Sequence, residues 1–276
     1  MRRSQARSVA LELLALVVVG LLVGCDDAQR GPVHDLHIVL DTSGSLPESS
    51  RSALEEQVRS AVADGWAMKA APDSSVSLWG FAPDPTYPAQ PLFRFTLTRE
   101  KLPPPVIKSR QEVQRHLTDQ IANALGAAEF GTRGSPIAES IGFIAQSTGA
   151  AGKSADIVVI SDFLQTSPDG APGGVEFTES YLRQATDEQL LADLQRMGAR
   201  NSCLRRALLV STYGISNLET RRSVPPDLQQ RAVTVFQSWL ESLGCEVQMR
   251  TVLPSAPMSG GEPIDAQGVG GGHHGS

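Results

Sequence analysis

The sequence predicts an α/β protein with a doubly wound, mostly parallel sheet flanked by helices and one antiparallel edge strand. Three observations predict it. The run Leu36-His37-Ile38-Val39-Leu40 alternates and ends apolar on both faces, and Ile157-Val158-Val159-Ile160 is apolar throughout, as strands buried in a parallel sheet are. Between such runs lie segments whose apolar residues recur every fourth position, the spacing of a helix with one buried face. One run, Leu92 to Thr98, alternates after a Pro-rich stretch from Pro83 to Pro91 and reads as an edge strand.

In chain order, His34 to Leu40 is the first strand. Leu46 to Ala70 reads as a helix, with Leu54, Val58 and Val62 four residues apart. Ser75 to Phe81 is the second strand, and the edge strand follows. After Leu102-Pro103-Pro104-Pro105, Val113, Leu117, Ile121 and Leu125 set a helix from Val106 to Leu125. Gly131-Thr132-Arg133-Gly134 is a loop, and Ser135-Pro136 opens a helix to Thr148. The Ile157–Ile160 strand ends at Ser161-Asp162, and Phe163 to Ala185, rich in Gly, Pro and Asp, reads as a long loop. Helix Thr186 to Met197, a strand over Arg206 to Thr212, helix Pro226 to Leu243 and a strand over Cys245 to Thr251 complete the domain. The domain is expected over residues 34–252. The Gly-rich segment 253–276 lacks periodicity and is expected to be disordered, and its His273-His274 reads as part of a solvated tail.

The chain begins with a basic segment holding Arg2, Arg3 and Arg7, then an uncharged apolar run from Leu13 to Val23 that is short for a membrane span. Leu22-Val23-Gly24-Cys25 resembles the lipobox of bacterial lipoproteins. That resemblance implies a signal peptide over 1–24, cleavage before Cys25, lipidation of its thiol, and a tether over 25–33. Asp26 resembles the signal that retains such proteins at the inner membrane, on its periplasmic face. Loss of Arg2, Arg3, Arg7 and Glu12 would move the formal charge from −6 to −8. An acidic domain argues against nucleic acid, whose binding depends on basic patches. Cys203 and Cys245 are then an even pair in an oxidising compartment, each at the start of a strand. On neighbouring parallel strands they would lie at one edge of the sheet, where a disulfide is expected; two unbridged core cysteines are the alternative.

The chemistry concentrates at Asp41-Thr42-Ser43-Gly44-Ser45, which closes the first strand. Ligands of open α/β sheets gather beyond the carboxyl ends of the strands, where the strand order reverses. For the order 3-2-1-4-5-6 this point lies between the strands ending at Asp41 and at Asp162, and Ser135 opens the helix feeding the second of these. Asp41, Ser43, Ser45, Ser135 and Asp162 therefore converge as hard oxygen donors suited to Mg2+. Each also has a structural reading. Ser45-Leu46-Pro47-Glu48 fits a capping box, Ser135-Pro136 fits an N-cap with Pro at the first helical position, and Asp162 could cap a loop.

Asp41-x-Ser43-x-Ser45, then Gly134-Ser135-Pro136-Ile137, then Ile160-Ser161-Asp162 resembles the von Willebrand factor A (VWA) family in motif content and order. The resemblance covers roughly residues 34 to 252 and implies a Rossmann-like fold with a metal-ion-dependent adhesion site. It implies that Ser43 and Ser45 ligate Mg2+ or Mn2+ directly and that Asp41 and Asp162 act mainly through waters. Ser135 stands where the family usually has Thr, and Phe163 where it often has Gly. The family site leaves one position open for an Asp or Glu carboxylate of a protein partner. The expected function is thus cation-dependent protein binding without enzymatic activity. A haloacid-dehalogenase-like phosphatase would use Asp41 as nucleophile but lacks its second Asp, since Ser43 stands there. Asp41-Thr42-Ser43-Gly44 interrupts the D-T-G of an aspartic protease, and no G-x-S-x-G elbow is present. A structural envelope lipoprotein without a working metal site is the remaining alternative.

Overall fold

A computed structural model describes residues 33–42, 55–56, 58–59, 66–80, 91–128, 134–167, 174–198, 203–211 and 224–251. Six strands, β1 (His34–Leu40), β2 (Ser75–Gly80), β3 (Phe93–Thr96), β4 (Ser154–Ser161), β5 (Leu204–Ser211) and β6 (Glu246–Thr251), form one sheet in the order β3-β2-β1-β4-β5-β6. All neighbours are parallel except β2 and β3, which pair antiparallel at the edge. The predicted order and its single antiparallel strand are both present. The order reverses between β1 and β4, whose register pairs Leu40 with Ile160.

Alternation along the strands divides the interior into two layers. Val39, Ile157, Val159, Ala207 and Leu209 face a core covered by α3 (Ile137–Ala150), α4 (Glu179–Gln184), α5 (Asp187–Met197) and α6 (Pro226–Ser242). Leu36, Ile38, Leu40, Val158, Ile160 and Val210 face the opposite core, closed by the helical turn α1 (Ala67–Lys69) and by α2 (Val106–Ala127). Val113, Leu117, Ile121 and Leu125 of α2 are all buried, as their spacing requires. Each of these strands thus serves two cores with alternate residues, which explains why the central ones lack a polar face.

Two expectations are corrected. The stretch from Phe163 to Ala185 is not one loop: it contains α4, whose N-cap Thr178 accepts from Tyr181 N at 3.1 Å. Only Leu182 of its six residues is buried, so no apolar period announced it. The second correction concerns the cysteines, which form no disulfide. The pairing of Arg206 with Glu246 sets Cys245 level with Arg205, two residues beyond Cys203. At about 3.3 Å per residue and about 4.8 Å between strands, that stagger exceeds the reach of a disulfide. Cys203 Sγ instead lies over Gly149 of α3, and Cys245 Sγ donates to Leu204 O at 3.5 Å.

The signal segment 1–24, Cys25, the tether, most of the Leu46–Ala70 helix, the Pro-rich stretch and the tail 253–276 lie outside the described residues. Among the described residues no helix is long and apolar enough to cross a membrane.

Candidate functional site

Asp41 follows β1 directly, and its N–H donates to Ile160 O at 2.9 Å. Sheet pairing therefore extends one residue past the strand and sets Asp41 level with Ser161 at the end of β4. The Asp41 side chain is fully buried. Its carboxylate collects hydroxyls from two other segments: Ser161 Oγ donates to Oδ2 at 2.6 Å, and Ser135 Oγ lies 3.2 Å from both oxygens. A carboxylate out of water needs such donors, because the loss of its hydration is costly.

Ser135 reaches Asp41 because of how α3 begins. Gly134 has φ +85°, a left-handed conformation in which a Cβ is strained, and its ideal Cβ would lie in van der Waals contact with Thr166 O at 3.4 Å. The chain turns there, and the helix starts at Ile137 with Pro136 as its cap residue and no side-chain cap. The N-cap alternative for Ser135 is thus not what the structure contains; its hydroxyl turns toward Asp41.

Asp162 is the first residue after β4, next to Ser161. Its Oδ1 accepts from Leu164 N at 2.9 Å, so it does shape the loop, as one alternative held. Its carbonyl accepts from the buried Gln229 Nε2 of α6 at 3.0 Å. Phe163 then adopts φ +62°. Its ring is fully buried, 5.4 Å from that of Phe236, which also contacts Phe177 at 6.2 Å. Here Phe takes a conformation in which Gly is the usual residue.

The next turn is fastened to the start of α3. Thr166 N donates to Ser135 O at 3.0 Å, Gln165 Oε1 accepts from Ala138 N at 2.9 Å, and Gln165 Nε2 donates to Glu139 Oε2 at 2.8 Å. Ser167 Oγ donates to Glu139 Oε1 at 2.5 Å. These bonds fix the relative positions of Ser135 and the turn after Asp162.

Of the five predicted metal-site residues, Asp41 and Ser135 are in contact, and Asp162 follows Ser161 directly after β4, its side chain accepting from Leu164 and its carbonyl from Gln229. Ser43 and Ser45 lie outside the described residues. Sequence reasoning missed Ser161, Gln165, Glu139 and Gln229. Ser161 is placed by the β1–β4 register, which sets the residue before Asp162 level with Asp41. The other three are spread over a loop and two helices, with no motif linking them.

The described donors suit a small hard cation: the Asp41 carboxylate fully out of water, and hydroxyls of Ser135 and Ser161 whose oxygens retain lone pairs, with Asp162 one residue beyond Ser161. Among the described residues no group of three or more His, Cys, Asp or Glu side chains gathers as a metal site, here or elsewhere.

No family model matches the chain, and no curated protein matches it. Among solved structures it is similar to the pilus adhesin SpaC from Lactobacillus rhamnosus GG in its open conformation, at 13% identity and a TM-score of 0.42 over 79% of this chain and 28% of that one. It is similar to the three N-terminal domains of the type V pili tip protein Mfa5 from Porphyromonas gingivalis, at 17% identity and a TM-score of 0.30 over 49% of this chain and 20% of that one. The human COPII-coat protein Sec24c matches at 14% identity and a TM-score of 0.37, over 80% of this chain and 30% of that one. The chain therefore spans under a third of each of these proteins. What its site can do follows from its own side chains.

Proposed function

We propose that this chain is a divalent-cation-dependent protein-binding module of the bacterial envelope, a VWA-like domain tethered by a lipid on Cys25 to the periplasmic face of the inner membrane. The observation that carries this is the buried Asp41 carboxylate at the sheet's switch point, held by hydroxyls of Ser135 and Ser161. Three segments that are remote in sequence meet there in the order of the adhesion-site motifs. Asp41, Ser135 and Asp162, with Ser43 and Ser45 of the same D-x-S-x-S motif, would hold Mg2+ or Mn2+. Such an ion, when bound, supplies one electrophilic position for an Asp or Glu carboxylate of a protein partner.

The chain's own residues set that position. Ser135 and Ser161 hold the Asp41 carboxylate, and the Leu164 amide fixes one oxygen of Asp162. The turn after Asp162 lies on this face and is the natural place for partner selectivity. A role as a binding module and not an enzyme fits the burial of Asp41, because a nucleophilic aspartate needs an open approach for its substrate.

Thermal unfolding with increasing Mg2+ or Mn2+ tests the proposal. The midpoint should rise with concentration, with stabilisation of about 2.7 kcal/mol at a hundredfold excess over Kd. Asp41→Ala should abolish the rise. A parent protein whose midpoint ignores both ions defeats the cation site, and phosphomonoester hydrolysis lost in Asp41→Ala would establish a phosphatase instead.

A further inference from the structure

Ser161 belongs to none of the ligand positions that the sequence motifs supply, yet its hydrogen bond to Asp41 is shorter than either contact from Ser135. Its hydroxyl has one proton and two lone pairs. Phe163 N donates to Ser161 Oγ at 3.0 Å, so one lone pair is occupied by the turn that follows Asp162. The proton goes to Asp41 Oδ2 at 2.6 Å. Ser161 is itself fully buried, so water does not compete for either bond. One atom thereby ties the loop after β1 to the loop after β4, across 120 residues of sequence.

We infer that Ser161 is the positioning residue of the cation site, setting the orientation of the Asp41 carboxylate without ligating the ion. This rests on the proposed cation site. Ser135 cannot fulfil the same role: its hydroxyl is 3.2 Å from both carboxylate oxygens and so distinguishes neither. Ser161 instead bonds one oxygen, Oδ2, and so fixes the rotation of the carboxylate about its own axis. Its contact with the Phe163 amide also makes the direction of Asp41 depend on the left-handed turn at Phe163. Partners of this kind, one bond removed from a metal, typically change affinity by about 10- to 100-fold when removed.

The test is a titration of the full chain in detergent with Mn2+, following the electron paramagnetic resonance signal of the unbound ion. Ser161→Ala should bind Mn2+ about 10- to 100-fold more weakly than the parent, while Ser161→Thr, which keeps the hydroxyl, should stay within about threefold. Ser161→Val differs from Ser161→Thr by one hydroxyl at nearly equal shape. This pair decides the matter if the Ala variant does not fold in EDTA, and weak binding by Val with parent-like binding by Thr supports the inference. Parent-like affinity in Ser161→Ala or Ser161→Val overturns it and leaves the cation site standing. Equal weakening in Ser161→Thr and Ser161→Val also overturns it, because packing and not the hydroxyl would then be responsible. A parent protein that binds no Mn2+ removes the cation site and this inference together.

Discussion

Phe163 pairs an unfavourable backbone with a favourable side chain. At φ +62° a residue with a Cβ is strained by about 1–2 kcal/mol relative to glycine. The ring, fully buried against Phe236, more than offsets this, since truncating a core Phe to Ala costs about 3–5 kcal/mol. The two contributions separate in a pair of variants. Phe163→Ala loses the ring and keeps the strain, whereas Phe163→Gly loses the ring and relieves it. Both should be destabilised in urea, with the Gly variant the more stable of the two by about 1 kcal/mol, an inversion of the usual order. An Ala variant equal to or more stable than the Gly variant would show that the turn is unstrained. Because Phe163 N binds Ser161 Oγ, either variant can also disturb Asp41, so stability should be measured in EDTA.

At the scale of elements, the fold is built around close approaches that a single methyl can spoil. Gly198 caps α5 where that helix passes over α6, and an added Cβ would fall within the Trp239 ring and 3.0 Å from Ala138 O of α3. Neither neighbour can retreat easily, as Trp239 is fully buried and the carbonyl is helical backbone. Gly198→Ala should therefore cost about 1–3 kcal/mol, the usual range for overpacking, and calorimetry of the folded variant would measure it. A Gly198→Ala protein as stable as the parent would mean that α5 and α6 can slide apart. The same packing explains what the sequence disclosed. Helices with a sustained apolar period, α2 and α6, were legible almost to their ends, because the residues that define the period are the ones that touch the sheet. The helix α4 was not, because one buried leucine makes no pattern. Asp41, Ser135 and Asp162 were legible as oxygen-bearing residues at element ends. Ser161 needed the β1–β4 register, which no local run of residues states. The cysteine stagger likewise depends on inter-strand alignment, including the irregularity of β4 against β5 at Ala155 and Asp156.

For the molecule as a whole, His37 links sheet, edge and helix layer. Its Nδ1 accepts from Trp79 Nε1 of β2 at 3.1 Å, and its Nε2 faces Thr148 Oγ1 of α3 at 3.3 Å. Thr148 Oγ1 itself donates to Ile144 O at 2.8 Å, so a neutral ring with its proton on Nε2 satisfies every group. Burial lowers the His37 pKa to about 4; Asp35 opposes this shift, and Arg94 and Lys153 reinforce it. The unfolded chain, with an ordinary His near 6.5, then binds the proton first as pH falls. Stability is therefore complete above about pH 6.5 and declines toward pH 4, by about 2 kcal/mol between pH 7.5 and 5. Urea unfolding at those two pH values checks this, and His37→Gln should flatten the difference; an equal slope in that variant would assign it elsewhere. The sequence distances at the Asp41 cluster bear on time as well as on structure. Its hydroxyl partners lie 94 and 120 residues downstream, so in a growing chain these two bonds to the carboxylate cannot both form until β4 has emerged and docked. No fragment ending before residue 161 contains the whole Asp41–Ser135–Ser161 cluster. The cluster is completed late and all at once, as a property of the closed sheet and not of the loop in which the aspartate resides.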